Sequence, residues 1–410
     1  MPKGWVIADW ADIVGITHGQ NQRDIEDPDG IFPIYGSGGQ IGKSFRYLCK
    51  AGSTVIGRKG TINRPFFTHT DFWNIDTAFG ITPCEGVLPR YLFLFCRHFN
   101  FKSLDRSTTI PSLTQKNLYS INMPLPPHAE QQRIVAIIDA LFSKLDKGVE
   151  TLKTIRRQLR TYRQAVLKWA FEDKKWNMAP LRSITTLVTS GSRGWAKYYS
   201  DKGAKFIRIG NLTRDTIKLK YDDIQHVVLP NNAEGLRSLL FERDMLISIT
   251  ADLGSIGIVP VDLGEAYINQ HIALARFVNP NLVLFYAYYL KSEQGRKALL
   301  RNRRGATKIG LGLDDIRNTP VPFISEQCAD EIVAAIESRL SVCDKLEAIV
   351  DENLVKAEAL RQSILKKAFA GKLVPQDPDD EPAEKLLARI KSEQKHTVKK
   401  TGTGRIKKNG

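Results

Sequence analysis

The stretch YRQAVLKWAF at 162–171 returns as LRQSILKKAF at 360–369, and that return constrains the fold more than any other feature of the 410-residue chain. At an offset of 198, Arg163 and Arg361, Gln164 and Gln362, Leu167 and Leu365, Lys168 and Lys366, Ala170 and Ala368, and Phe171 and Phe369 are identical. Ile134-Val135-Ala136 matches Ile332-Val333-Ala334 at the same offset. Each is approached through a proline-rich lead into Glu-Gln, MPLPPHAEQ (123–131) and TPVPFISEQ (319–327). The starts correspond too, WVIADWADI (5–13) with WNMAPLRSI (176–184). So long a period is far beyond a solenoid repeat. It specifies a duplicated unit, a globular part followed by a tail.

Each tail reads as a helix. Ile134, Ile138, Leu141, Leu145, Gly148, Leu152, Ile155, Leu159, Tyr162, Val166 and Trp169 alternate steps of four and three, an unbroken heptad stripe. A helix over about 130–172 would be roughly 60 Å long and needs a partner to bury that stripe. Ile332, Ile336, Cys343, Leu346, Val350, Ala357, Leu360 and Ile364 take the equivalent positions in the second tail, interrupted by Arg339, Asn353 and Lys367. Ser325 is the expected N-cap and Gly371 the expected stop. The two tails are predicted to pair as an antiparallel coiled coil. The alternative is two amphipathic helices, each packed on its own domain.

Short β-rich runs at 53–56, 206–209 and 245–249, separated by Gly/Asn/Asp turns, and apolar helical patches at 88–99 and 281–290 make the globular parts mixed. The expected fold is α+β: two similar mixed α/β domains in a pseudo-two-fold internal repeat, separated by a long antiparallel two-helix coiled coil. The boundaries are 1–128 and 173–324 for the domains and 129–172 and 325–371 for the helical spacers. Residues 372–410 form a short helix, with Leu386, Leu387 and Ile390 on one side for a partner subunit, and a basic, unstructured tail.

Sixty Lys+Arg against forty-four Asp+Glu give a net charge of +16, which points to a polyanionic partner, nucleic acid above all. Five scattered cysteines without CxxC spacing argue against a disulfide framework or a zinc site. No apolar run is long enough to span a membrane, and MPKGWVIADW does not read as a signal peptide, so a cytoplasmic protein is expected. Neither an Asn/Asp-Pro-Pro-aromatic loop, nor HExxH, nor GxSxG occurs, so no catalytic role is assigned. One stretch keeps an enzymatic alternative open, YGSGGQIGKS at 35–44. A phosphate loop needs Gly, four residues, then Gly-Lys-Ser/Thr, ahead of a helix. Here Ser37 stands where the first glycine belongs, and the residues after Ser44 reach Gly52 too soon for a good helix. KFIRIGNLTR (205–214) takes its approximate place in the second half without any Gly-Lys-Ser.

Proline-rich lead, Glu-Gln, heptad helix and LRQSILKKAFAGKLVPQDPDDEPAEKLLARI together resemble the specificity subunit of type I restriction–modification systems. FPIYGSGGQIG, AGSTVIGRKG and FWNIDTAFGI extend the resemblance, which runs through both halves in order. It implies two target-recognition domains, each reading half of a split, asymmetric double-stranded DNA target, with the helices setting the gap. It implies a non-catalytic chain that docks two methyltransferase subunits and is joined by restriction subunits. S-adenosylmethionine, ATP and Mg²⁺ would then belong to the partners, with no cofactor in this chain. A DNA-binding adaptor serving a methyltransferase alone is the runner-up, and neighbouring genes would distinguish it.

DNA reading needs Lys and Arg on phosphates and Arg, Lys, Asn, Gln, Ser or Thr at base edges. The first-domain candidates are Tyr35, Ser37 and Lys43; Arg58 and Lys59 between glycines; Asn63 and Arg64; and Arg106, Thr108 and Thr109. In the second domain they are Arg193, Lys197, Arg208, Asn211 and Arg214, followed by Arg301, Arg303, Arg304, Thr307 and Lys308 around Gly305.

Overall fold

The computed structural model describes residues 1–172, 174–191, 193–230, 236–301 and 310–402. The chain divides into two units. The first takes Met1–Glu150 and Asn353–Gly410, the second Thr151–Glu352.

The first unit contains β1 (Val6–Asp9), α1 (Trp10–Ile13), β2 (Val14–His18), β3 (Phe32–Gly36), β4 (Gly39–Ser44) and β5 (Thr54–Gly57). Next come β6 (Phe66–Phe67), β7 (Trp73–Asn74), β8 (Ala78–Pro83), α2 (Pro89–His98), α3 (Gln115–Tyr119) and β9 (Asn122–Leu125). Helix α4 (His128–Phe171) then carries the chain into the second unit. There β10 (Met178–Pro180), β11 (Thr185–Ser190), β12 (Tyr199–Ser200), β13 (Ala204–Ile207), β14 (Gln225–Val227) and β15 (Met245–Ser248) follow. The unit continues with β16 (Ile256–Ile258), β17 (Ala266–Ile268), β18 (Ile272–Phe277), α5 (Val283–Lys291), α6 (Glu293–Leu300), α7 (Leu313–Arg317) and β19 (Pro320–Pro322). Helices α8 (Glu326–Phe369) and α9 (Ala383–Gly402) close the list.

The duplication is visible sheet by sheet. An antiparallel sheet β2-β8-β5-β6 in the first unit answers β11-β18-β15-β16 in the second. A sheet β4-β3-β7, with β3 parallel to β7, answers β14-β13-β17, with β13 parallel to β17. The pairs β1·β9 and β10·β19 clamp the two ends of each domain together. In β5 and β15 every residue is buried, as expected for apolar runs enclosed on both faces. Helices α2 and α5 cover these sheets with the apolar patches expected at 88–99 and 281–290. The Pro89 ring at the first turn of α2 suits a position whose N–H has no intrahelical acceptor.

The expected helices are 44 residues each. Ser325 caps α8, its Oγ accepting from the Cys328 N–H at 3.4 Å, and Gly371 takes φ +66° just past its end. In the first unit Ile134, Ile138 and Phe142 of α4 share a core with Ile364, Leu365, Ala368 and Phe369 of α8. In the second, Val166, Leu167, Ala170 and Phe171 meet Ile332, Val333 and Ile336. The pairing is antiparallel: Arg361 holds Asp146 at 2.6 Å, and Arg163 holds Asp344 at 2.7 Å and Glu347 at 2.9 Å. Arg163 and Arg361, like Asp146 and Asp344, stand 198 apart, so one ion pair is made twice.

The seam departs from the expected stripe. Tyr162, Trp169, Leu346 and Leu360 are exposed, whereas Arg163 is buried. A straight helix of 3.6 residues per turn drifts off a strict 3.5-residue pattern, and each domain claims the residues nearest it. One face of the exposed Trp169 ring lies against the Arg339 guanidinium, 4.1 Å from its centroid. Helix α9 packs on its own first unit rather than waiting bare for a partner. Leu386 and Ile390 enter that unit's core, Lys391 meets Asp12 at 2.8 Å, and Gln394 Nε2 donates to the Asp12 carbonyl at 2.9 Å.

Candidate nucleic-acid interface

In the first unit the candidate DNA contacts fall on the β3–β4 hairpin, the segment after β5 and the loop before α3, and in the second on the segments after β11, β13 and α6. YGSGGQIGKS is a β-hairpin. Tyr35 and Gly36 end β3, Ser37 and Gly38 turn, and Gly39 enters β4 at φ +125°. Gly42 pairs with Ile34 and Lys43 with Pro33, and no helix follows Ser44. Backbone N–H groups spent on a strand ladder are not available to cradle phosphates, which removes the nucleotide-hydrolase alternative.

Gly57 has no room for a Cβ, which would collide with the Thr61 carbonyl and press on Ser37. That approach brings the hairpin turn beside Arg58 and Lys59. Arg58 Nε donates to the Asp76 carbonyl at 2.6 Å, and its own carbonyl accepts from Leu113 N at 2.8 Å. Lys59 bridges to Ser112, closing the loop that carries Arg106, Thr108 and Thr109, all exposed. Asp105 fixes the neck of that loop, accepting from Ser107 Oγ at 2.6 Å, Ser107 N at 3.0 Å and Ser112 N at 3.1 Å. These bonds, the serine hydroxyl first, hold its carboxyl below the usual range. Asn63 Oδ1 accepts from Phe101 N at 2.7 Å, and with exposed Arg64 it lines a cavity of about 820 Å³ shared with Arg97, His98 and Gln362. Lys43 is exposed on β4. Tyr35 is different. Its ring lies edge-on to Phe66 and Phe72, 5.0 and 5.6 Å away, and burial raises its hydroxyl pKa, so it anchors the hairpin.

In the second unit, Arg193 and Lys197 are exposed on either side of Trp195, whose ring stacks on Phe206 at 5.4 Å. Lys197 Nζ sits 4.9 Å over the Tyr198 ring. Asn211 is buried and fully employed: its Oδ1 accepts from Arg208 N at 2.8 Å, and its Nδ2 donates to the Lys220 and Asp223 carbonyls. It shapes the loop on which Arg208 pairs with Asp223 at 3.0 Å and Arg214 with Asp252. Arg301 is exposed just after α6; Arg303, Arg304, Thr307 and Lys308 lie outside the described residues. Among the described residues, no cluster of His, Cys, Asp and Glu suited to a metal occurs, and no helix is long and apolar enough to cross a membrane.

The family model described as the type I restriction modification DNA specificity domain matches residues 2–157. The chain is 28% identical to the type I restriction enzyme EcoBI specificity subunit of Escherichia coli over 325 residues, covering 70% of this chain and 67% of that one. It is 26% identical to the EcoKI specificity subunit of E. coli strain K12, over 96% of both chains. A chain from a solved structure of a type I R-M system covers 91% of it at a TM-score of 0.67 and 18% identity, and 99% of that chain is matched. In sequence along most of its length, and in fold, the chain is similar to specificity subunits of type I restriction–modification systems.

A specificity subunit is a DNA sequence-recognition component, and its informative residues are those that differ between two copies of one frame. Sequence reasoning passed over one such group in the second unit. Thr250 Oγ1 lies 2.8 Å from His271 Nδ1, and Gln270 Nε2 lies 3.1 Å from His271 Nε2. The repeat offset does not lead to them, because the intervening loops differ in length between the halves; only the strand registers align them with Lys59, Thr77 and Asp76.

Proposed function

We propose that this chain is a specificity subunit that reads a bipartite, asymmetric sequence on double-stranded DNA, one half-site for each unit, and is not itself an enzyme. The helices α4 and α8 set the unspecified gap and dock two methyltransferase subunits, which restriction subunits join. S-adenosylmethionine, ATP and Mg²⁺ act on those partners. The observation that carries this reading is the repetition of two sheets with the same order of core strands, under loops whose side chains differ. A protein dimer reading a palindrome presents the same side chains twice. One chain with two unlike rims suits two unlike half-sites. The surplus of sixteen positive charges supplies the sequence-independent attraction to phosphate.

The test is to express the full chain with its methyltransferase subunits in a methylation-free host and map modified adenines across the genome. A gapped motif of two unrelated halves is expected. Methylation without such a motif, or none that depends on this chain, sinks the reading.

A further inference from the structure

The two units place different chemistry on equivalent backbone. Arg58 N donates to the Thr77 carbonyl at 2.7 Å, and Ile249 N donates to the His271 carbonyl at 3.0 Å. Leu113 N donates to the Arg58 carbonyl at 2.8 Å, and Leu311 N donates to that of Ile249 at 3.0 Å. Lys59 bridges to Ser112, Thr250 to Gly310. Ile75 N bonds the Tyr35 carbonyl next to β7, as Asn269 N bonds that of Ile207 next to β17. By these bonds Arg58 corresponds to Ile249, Lys59 to Thr250, Asp76 to Gln270 and Thr77 to His271. A cationic pair beside an acidic residue in one unit has become a hydrogen-bonded threonine, glutamine and histidine in the other.

Within the triad the proton positions follow from the donors available. An amide nitrogen only donates, so Gln270 Nε2 gives a hydrogen to His271 Nε2. The neutral ring then carries its proton on Nδ1 and donates it to Thr250 Oγ1. His271 N is tied in turn to Asn269 Oδ1 at 3.2 Å. The Gln270 side chain is thereby held by one of its two amide hydrogens. Among the described residues neither its other hydrogen nor its carbonyl oxygen has a partner, and all three residues are half-buried rather than enclosed. One donor beside one acceptor matches the N7 acceptor and N6 donor that adenine shows in the major groove.

We infer that Gln270 reads an adenine in the second half-site by a bidentate contact in the major groove, with His271 and Thr250 as its positioning residues. This rests on the DNA-reading assignment above. Lys59 and Asp76 give the first unit no such amide at the equivalent place, so that unit reads its half-site by other groups.

The test uses the full chain with its methyltransferase subunits, scored by the genome-wide methylation motif and by thermal melting of each variant. With Gln270→Ala, one A·T pair of the second half-site is expected to relax by roughly ten- to a hundred-fold. With Gln270→Glu, an acceptor without a hydrogen to give, that position should move towards cytosine, whose N4 donates. His271→Ala should relax the same position and no other. The first half-site should be unchanged throughout. A motif unaltered by both Gln270 variants, a relaxed pair other than A·T, or relaxation spread across the whole second half-site would overturn the inference, the last because it marks a residue that only holds its loop. A wild-type chain that yields no gapped motif fails at the earlier step, and that result discards the DNA-reading assignment itself.

Discussion

Tyr91 against Phe369 in the first unit and Tyr289 against Phe171 in the second are one contact made twice, at ring separations of 5.3 and 5.5 Å. Arg58-Lys59 and Ile249-Thr250 are one backbone position holding unlike side chains. Residues that join a domain to the helices have been kept through the duplication, while those on the rims have been free to change. Buried packing tolerates little change in volume, which fixes the first set; a solvated loop closed at its neck tolerates much, which releases the second.

The duplicated ion pair is where that comparison breaks most easily. Each arginine serves two carboxylates, but Arg163 is 5% exposed in its side chain and its partners are half-buried, whereas Arg361 is 14% exposed and its partners Asp146 and Glu358 are 64% and 61% exposed. Arg163→Met should destabilise the second unit by about 2–3 kcal/mol, less than a fully buried pair because Asp344 keeps solvent and Lys218. Arg361→Met should cost the first unit about 1 kcal/mol or less. Urea titrations followed by probes placed in each unit would report both, and equal losses would deny the asymmetry.

A second difference lies 198 residues apart at Phe93 and Lys291. Lys291 is buried, its Nζ donating to the Thr213 and Thr216 carbonyls at 3.1 and 2.9 Å, and burial lowers its pKa to about 8. In the unfolded chain a lysine keeps its proton to about pH 10.4. Between those values the unfolded state binds more protons than the folded one, so stability rises with pH. The second unit should gain up to about 3 kcal/mol from pH 8 to 10, and the first should not. Burial raises the Cys343 thiol and the Tyr286 hydroxyl, and both oppose the gain towards the upper end of this window. Lys291→Met should abolish the gain, and a second unit that still gains stability from pH 8 to 10 in that variant refutes the cause.

Gly57→Ala separates the rims by a smaller perturbation, since its equivalent in β15 is Ser248, which does carry a side chain. The added methyl collides with the Thr61 carbonyl, at a cost of roughly 1–3 kcal/mol. Modification should lose discrimination in the first half-site and keep it in the second. Smallest of all, Lys43→Ala should weaken binding to every sequence alike. For an interface of about eight phosphates, log K should fall with log salt at a slope near −7, and this variant should reduce it by about one. A change of base preference instead would make Lys43 a reader.

The duplication, the two long helices and their caps were legible because they are local or because identical residues recur at one offset. Seam residues such as Tyr162 and Leu360 were misread because a heptad count ignores which domain sits beside each turn. Nor does local pattern show that β3 lies parallel to β7 across nearly forty residues, or that Thr250 meets His271. Those pairings arise from chain closure over long loops. Charge clusters drew attention to Arg208 and Asn211, yet Asn211 is an internal brace, and the uncharged Gln270–His271 pair offered no cluster to notice.

The first unit is built from both ends of the chain, and α9 is pinned to α1 through Asp12. The second is continuous, from Thr151 to Glu352. On the ribosome, then, the later-encoded reader is the first to become whole. The amino-terminal strands must wait, apolar faces uncovered, until the last helices emerge, and they are the stretch a chaperone has longest to hold. A chain halted before residue 353 would carry one finished reader and one that never closes.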